Sequence, residues 1–305
     1  MSLPLVSIVI PSYKAAHFET CLRSALGQSY PNIEILVSDN CPTEAIREIC
    51  EKYAPHVIYQ RNVAIREQNV LSSLFGAKGE FIKPLFDDDV LHPFCIERMV
   101  SAMQMDPEVQ LVFSASQVIN VQNQGTETRR PYQASGSIPA QGMMRSMVLS
   151  MGNFVGEFTT ILFRRARLWE IGTRLFTFHR HDCSLGLADI AAYFNLAEGG
   201  KVFYVDEELS YFRHDLQLES NSNPNSNPNF GYCFSDYVDL LIECADLGIV
   251  TQQELAAMQL QVDAAALRFN GVFPMFARSQ QRYHGVLAEL NSGVHVNPAA
   301  AEVAP

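Results

Sequence analysis

No C-x-x-C pair occurs in the chain, and its seven cysteines (Cys21, Cys41, Cys50, Cys95, Cys183, Cys233 and Cys244) stand at irregular spacings. An odd, scattered set fits reduced, buried thiols better than a disulfide framework or a zinc site. Basic residues are also short: 22 Lys and Arg stand against 33 Asp and Glu, for a net charge of −11. That balance argues against nucleic acid as the main partner, because phosphate contacts need a basic face. No window reaches the ~18 apolar residues of a membrane span. The opening MSLPLVSIVIPSY lacks a basic region and has too short an apolar run for a signal peptide. A soluble, cytoplasmic protein is expected. Also missing are G-x-G-x-x-G after the first apolar run and G-x-x-x-x-G-K-[ST] anywhere. No glycine-rich turn therefore cradles a dinucleotide or a triphosphate.

What remains is a chain of 305 residues, 48% hydrophobic, long enough for one large domain or two modest ones. Its first ninety residues alternate between two periods. Val6 to Ile10, Ile33 to Val37, Val57 to Tyr59 and Phe81 to Phe86 are short apolar runs, which read as buried strands. Between them, Phe18, Cys21, Leu22, Ala25 and Leu26 recur at helical spacing, as do Ile46, Ile49, Cys50 and Tyr53, and then Val70, Leu71, Leu74 and Phe75. Such alternation predicts a mostly parallel sheet flanked by helices. Further strands are expected at Leu111 to Val121, Phe158 to Phe163, Lys201–Val205 and Leu209–Arg213, with a helix at Leu187 to Leu196. Ser220 to Asn229 (SNSNPNSNPN) has no apolar residue and reads as a mobile loop. Helices follow at Cys233 to Leu247, Gln252 to Phe269 and Arg278 to Leu290, then a frayed tail.

Ligands of open α/β sheets sit beyond the carboxyl ends of the strands. Three such ends are unusually polar here: Pro11-Ser12-Tyr13-Lys14, Ser38-Asp39-Asn40 and Asp87-Asp88-Asp89. Three adjacent carboxylates can hold a hard divalent cation, Mg2+ or Mn2+, which shares its coordination sphere with substrate phosphates. The plainer reading is an acidic turn capping the helix that begins near His92-Pro93. His179, His181 and Asp182 in FHRHD invite a metal reading, but no third ligand stands at suitable spacing. An exposed polar loop is expected there.

SIVIPSYK, ILVSDNCPTE and GAKGEFIKPLFDDDVLHP resemble, in order, the N-terminal half of family 2 glycosyltransferases. GEFTTILFRRARLWEIG (156–172) and LADIAAYFNLAEGGKVFYVDEELSYFRHD (187–215) continue the resemblance, which covers roughly residues 4–220. It implies a GT-A fold, a Rossmann-like, mostly parallel sheet between helices, here with a C-terminal helical appendage. The corresponding domain reading is 1–220 as the transferase domain (1–105 for the nucleotide, 106–220 for the acceptor). A flexible loop at 221–229, helices at 230–292 and a tail at 293–305 complete it.

The same resemblance implies roles. Pro11 and Tyr13 would line the nucleobase pocket, Asp39 would meet the base edge, and Arg66 and Asn69 would contact the nucleotide. Asp87, Asp88 and Asp89 would hold ribose and cation, with Asp88 foremost and His214 as a further ligand. The family's string is D-x-D-D, and Phe86 stands where its first aspartate is usual. Asp189 would be the general base, in an E-D pair whose glutamate is replaced by Ala188. Glu157, His181, Asp182 and Arg213 would lie near the donor or acceptor sugar, although Asp215 stands where the family's R-x-H places its histidine. The implied reaction is metal-dependent, inverting transfer from a nucleotide sugar, a UDP-sugar first, to a glycan or lipid-linked acceptor at the inner face of a membrane. Two alternatives stay open: a catalytically degenerate nucleotide-sugar-binding protein, and a nucleotidyltransferase. The C-terminal helices are open to core packing, a homodimer interface or peripheral membrane contact; their Met, Leu, Phe and Tyr faces favour core.

Overall fold

The computed structural model describes residues 3–215 and 227–292. The N-terminal half alternates as the periodicity requires: β1 (Val6–Ser12), α1 (Phe18–Leu26), β2 (Ile33–Asp39), α2 (Ala45–Glu51), β3 (Ile58–Arg61), α3 (Glu67–Gly76) and β4 (Phe81–Pro84). There follow β5 (Val90–Leu91), α4 (Cys95–Met105), β6 (Val109–Ile119), β7 (Gly125–Arg129), β8 (Gly136–Pro139) and α5 (Ala140–Ser150). Next come β9 (Ile161–Arg164), α6 (Arg165–Ile171), β10 (Thr177–Phe178), β11 (His181–Asp182), α7 (Ala188–Ala197) and β12 (Lys201–Arg213). Four helices end the chain: α8 (Phe230–Asp246), α9 (Gln252–Ala257), α10 (Gln259–Phe269) and α11 (Met275–Ser292).

The main sheet runs β3-β2-β1-β4-β9-β6-β12-β5. β1 pairs in parallel with both β2 and β4, which is why all seven of its residues are buried. β9 enters antiparallel between β4 and β6, and β6 and β12 are again parallel. Register places Ser12 opposite Asp39, so two polar strand ends lie at the same level of the sheet. The apolar face of α1, built from Phe18, Cys21, Leu22 and Ala25, joins Ile8, Ile10, Ile35 and Val37 in the core beneath them.

Gly79 is required by the turn into β4. A Cβ there would stand 2.6 Å from the Ser7 amide nitrogen and 2.8 Å from the Leu5 carbonyl oxygen. Gly79→Ala is therefore expected to destabilise the fold by about 1–3 kcal/mol, as overpacking does. An unchanged urea midpoint would show instead that this turn relaxes freely.

Two expectations change in detail. Lys201–Val205 and Leu209–Arg213 form one strand, because the polar Asp206-Glu207-Glu208 stretch is absorbed as a bulge against β6. Gln252 to Phe269 is two helices, α9 and α10, parted at Met258. Most of SNSNPNSNPN, through residue 226, and the 293–305 tail lie outside the described residues.

By internal contacts the chain divides into two compact units, whose described residues are 3–143, 153–178 and 188–215, and 144–152, 179–187 and 227–292. The first contains the main sheet. The second is helical, and α8 is its best buried element. Phe230, Phe234, Phe269, Phe273 and Phe276 cluster in it, with the Phe234 and Phe269 rings stacked at 4.0 Å. These aromatic side chains pack on one another, Phe276 fully buried and the other four partly buried. No helix among the described residues is long and apolar enough to cross a membrane.

Candidate active site

The three aspartates after β4 do different work, because successive side chains leave the backbone in different directions. Asp87 is buried, and its Oδ2 accepts the backbone N–H groups of both Tyr13 and Lys14 at 2.6 Å. It thereby ties the end of β4 to the end of β1. Asp89 is 1% exposed and uses both oxygens: Oδ2 accepts the Thr159 hydroxyl at 2.5 Å, and Oδ1 accepts the Arg213 backbone N–H at 3.0 Å. Asp88 is the more open one, and its Oδ2 meets the Lys14 ammonium at 2.7 Å.

Burial, reinforced by the charge of Asp88, raises the Asp87 and Asp89 carboxyls above the usual carboxylate range. Burial alone would lower Lys14, but attraction to Asp88, Asp87 and Asp89 outweighs it and raises the ammonium. Lys14 and, from β12, Arg213 are the cations that face this concentration of negative charge among the described residues.

Arg213 braces the cluster from β12. It is 3% exposed, and its guanidinium donates to the Asp88 carbonyl at 2.8 Å, the Asn120 carbonyl at 2.8 Å and Asn123 Oδ1 at 2.6 Å. The Asp88 backbone is thus held while its side chain keeps 15% of its surface open. His214, next in the chain, is exposed, and Asp215 pairs with His17 at 3.2 Å.

At the end of β2, Asp39 is fully buried. Its Oδ1 accepts the Cys41 N–H, and its Oδ2 accepts the Tyr59 hydroxyl and Arg61, each at 2.7 Å. Burial and the Asp39 bond push the Tyr59 hydroxyl up to about 12. Asn69 is 4% exposed and closes a network with Ser38, Asn40 and Asn62. Pro11 is buried, Tyr13 is 53% exposed, and Arg66 is exposed with a φ of 50°.

A second acidic pair stands in the same unit. Asp189, in the first turn of α7, accepts from Asn153 Nδ2 at 3.0 Å and from the Ile190 N–H at 2.9 Å. Desolvation raises its carboxyl to about 7, with the negative charge of Glu157 adding to the shift and the two hydrogen bonds opposing it. Asn153 also donates to the Gly156 carbonyl, which takes the Tyr193 hydroxyl as well, and Gly156 has a φ of 94°. Glu157 pairs with Arg129 through Oε1, while its Oε2 is buried without a hydrogen bond. Thr159, two residues on, belongs to the Asp89 cluster, so one loop ties Glu157 to the aspartates.

Comparison with known proteins bears on the family and the fold. Residues 7–172 match the model of glycosyl transferase family 2. The chain belongs to the family 2 glycosyltransferases. GlyG of Streptococcus pneumoniae is 30% identical over 106 residues, 33% of this chain and 35% of that protein. The chondroitin synthase of Pasteurella multocida is 28% identical over 131 residues, 39% of this chain and 13% of that protein. This chain spans less than half the length of such curated relatives. The structure of S. aureus TarS 1-349 in complex with UDP-GlcNAc superposes with a TM-score of 0.58 at 14% identity, covering 96% of this chain and 93% of that one. At that identity the likeness is one of fold, and it is the GT-A arrangement of a mostly parallel sheet between helices.

Within this family 2 glycosyltransferase, the structure gathers Tyr13, Asp87, Asp88, Asp89 and Arg213 in one cluster and Asp189 with Glu157 in another. Asp39 and Asn69 lie at the neighbouring strand end. His181 and Asp182 fall in the other compact unit. The exposed polar loop expected at FHRHD is corrected for His181, whose side chain is only 20% exposed and meets Asp236 at 2.9 Å, since α8 brings a carboxylate from 55 residues away. Sequence reasoning passed over Lys14, although it stood in the PSYK stretch, and over Thr159, Arg129 and Asn153. Those three have no local signature; the folding of the 153–159 loop places Asn153 and Thr159, and brings Glu157 to Arg129 at the end of β7.

Proposed function

We propose that the protein transfers a sugar from a nucleoside diphosphate donor, a UDP-sugar first, to a hydroxyl of a glycan or lipid-linked acceptor, with inversion at the anomeric carbon. The observation that carries this reading is Asp189: a carboxyl raised to about 7, fixed by Asn153 and the Ile190 amide, in the same unit as the aspartate cluster. A base titrating near neutral pH takes a hydroxyl proton most effectively at that pH. The UDP-GlcNAc in the TarS structure supports the uridine donor, and the name of the chondroitin synthase relative supports a polysaccharide product.

The donor set suits a hard cation, Mg2+ or Mn2+. Asp88 offers a carboxylate toward solvent, and among the described residues no hydrogen bond falls on Asp87 Oδ1. Asp89 has both oxygens engaged and serves instead to position its neighbours. The three carboxylates do not converge on one point, since the convergent triples among the described residues lie elsewhere. One or two protein oxygens with diphosphate oxygens make up such a sphere. When bound, the cation would offset the charge that develops on the leaving diphosphate. Lys14 would add a second positive charge on that side. Tyr13, half exposed beside Asp87, would stack on the base. Asp189 would orient the acceptor hydroxyl and take its proton as the new glycosidic bond forms.

A thermal-shift panel of nucleoside diphosphates and their sugars, with Mn2+ or with EDTA, tests the reading. Stabilisation by UDP or a UDP-sugar, weakened by chelation, is expected. Stabilisation that EDTA leaves untouched would count against the cation site. Binding with no transfer or donor hydrolysis would favour the degenerate binding protein, for which Phe86 and Ala188 speak: Phe86 turns its ring to Phe158 at 6.4 Å rather than offering an oxygen.

A further inference from the structure

The helical unit contains a polar constellation that glycosyl transfer does not use. Asp236, Asp239, Glu243 and Asp246 recur at intervals of three, four and three along α8, so they share one face of the helix. Carboxylates in such a row repel one another unless each finds a counter-charge. Arg282 meets Asp239 and Glu243, and Arg180 meets Glu243 and Asp246. Among the described residues neither guanidinium reaches Asp236, which is 2% exposed. Its Oδ1 meets His181 Nε2 at 2.9 Å, and its Oδ2 accepts the Leu187 N–H at 2.8 Å.

Cys183, fully buried and in no disulfide, completes a triple: its Sγ, a His181 nitrogen and an Asp236 oxygen all lie within 4.8 Å of one another. Ligands of a tetrahedral ion, bound at ~2.0–2.3 Å, stand roughly 3.3–3.8 Å apart, so the triple would have to close by up to about 1.5 Å around the ion. Gly186 makes room for the carboxylate, since a Cβ there would fall 2.3 Å from Asp236 Oδ2 and 2.6 Å from the Tyr232 carbonyl carbon. The Leu187 amide orients Asp236 in the way that outer hydrogen bonds orient ligating carboxylates.

We propose that His181, Cys183 and Asp236 form a binding site for a borderline-soft divalent cation of the Zn2+ class, with the fourth position taken by water on the solvent side of His181, whose side chain is 20% exposed. A thiolate with an imidazole selects such ions over Mg2+ or Mn2+, which prefer all-oxygen sites. On binding, the Cys183 thiol releases its proton to solvent and forms a metal–sulfur bond, and His181 ligates as the neutral imidazole. One thiolate, one carboxylate and one dication sum to zero, so the occupied site adds no net charge at this end of the α8 stripe. The ion fastens residues 181–183 to α8. This site is independent of the glycosyl-transfer reading and of its Mg2+ or Mn2+.

The test is a Co2+ titration of the purified, EDTA-dialysed full chain, followed by optical absorption. A thiolate-to-cobalt charge-transfer band that saturates at one ion per chain and is bleached by Zn2+, but not by Mg2+, is expected. Cys183→Ser should remove the band and weaken Zn2+ binding by ~10-fold or more, whereas Cys233→Ser should leave both unchanged. Absence of any such band in the wild-type chain would overturn the site and leave a His181–Asp236 ion pair only. A band that survives Cys183→Ser would overturn it equally. The wild-type titration decides the matter even if the Cys183 variant fails to fold.

Discussion

Asp189→Asn is expected to lower the turnover of glycosyl transfer by about 10²–10⁴-fold, the range for removal of a general base, while UDP-sugar binding persists. The amide keeps the shape and its oxygen can still accept the Ile190 N–H, but the NH2 that replaces the other oxygen cannot accept from Asn153, and the group cannot take a proton. The pH dependence carries a sign that a structural role would not. The wild-type carboxyl is held at about 7 by burial, with the charge of Glu157 adding to it. The base acts only when ionised, so kcat/KM should fall tenfold per pH unit below 7 and level off above it. In the Asn variant that limb should vanish.

Stability should move the other way. A folded-state pKa raised above the unfolded value of ~3.9 means that the native fold favours the protonated group. That preference is full below the unfolded pKa and is lost as pH rises through about 7. The uncharged Asn variant should therefore melt no lower than wild type at pH 8. Turnover retained in Asp189→Asn, or a profile without an ascending limb in the wild type, would remove Asp189 from its role.

Asp88→Asn is expected to abolish the cation dependence of nucleotide binding and to reduce kcat/KM by roughly 10²–10³-fold, as loss of one charge-stabilising group does. The fold should survive, because the Asp88 backbone is held by Arg213 and, among the described residues, its side chain pairs only with the partly exposed Lys14. Asp89→Asn makes the contrast. Its oxygens accept from Thr159 and from the Arg213 amide in a site with almost no solvent access, so its main effect should be on thermal stability. Calorimetry of UDP with and without Mn2+ on the three proteins separates these outcomes. Cation-dependent binding kept by Asp88→Asn and lost by a well-folded Asp89→Asn would reverse the assignment.

Periodicity made the N-terminal half legible before any coordinates. Short strands of four to seven residues and helices with one apolar face must alternate in a sheet covered on both sides, and β1 to β4 with α1 to α3 do so, except that β3, expected as buried, lies at the sheet edge and is largely exposed. The polar strand ends were legible for the same reason, since Asp39 and Asp87–Asp89 interrupt apolar runs where the chain leaves the sheet. Less visible was which carboxylate faces solvent. Asp87, Asp88 and Asp89 are identical in type and adjacent in sequence, and only Tyr13, Lys14, Thr159 and Arg213 distinguish them. Those partners lie 70 or more residues away.

Composition and motif order thus determined the family, the sheet and the acidic strand ends, because local periodicity and charge are written in consecutive residues. Tertiary structure decided the rest. Burial and a neighbouring glutamate set the Asp189 carboxyl near neutrality. FHRHD, lacking a third ligand in its own stretch, gained a carboxylate from α8. Desolvation and long-range pairing have no local signature, and they divide chemically identical side chains into those that hold the fold and those left to act.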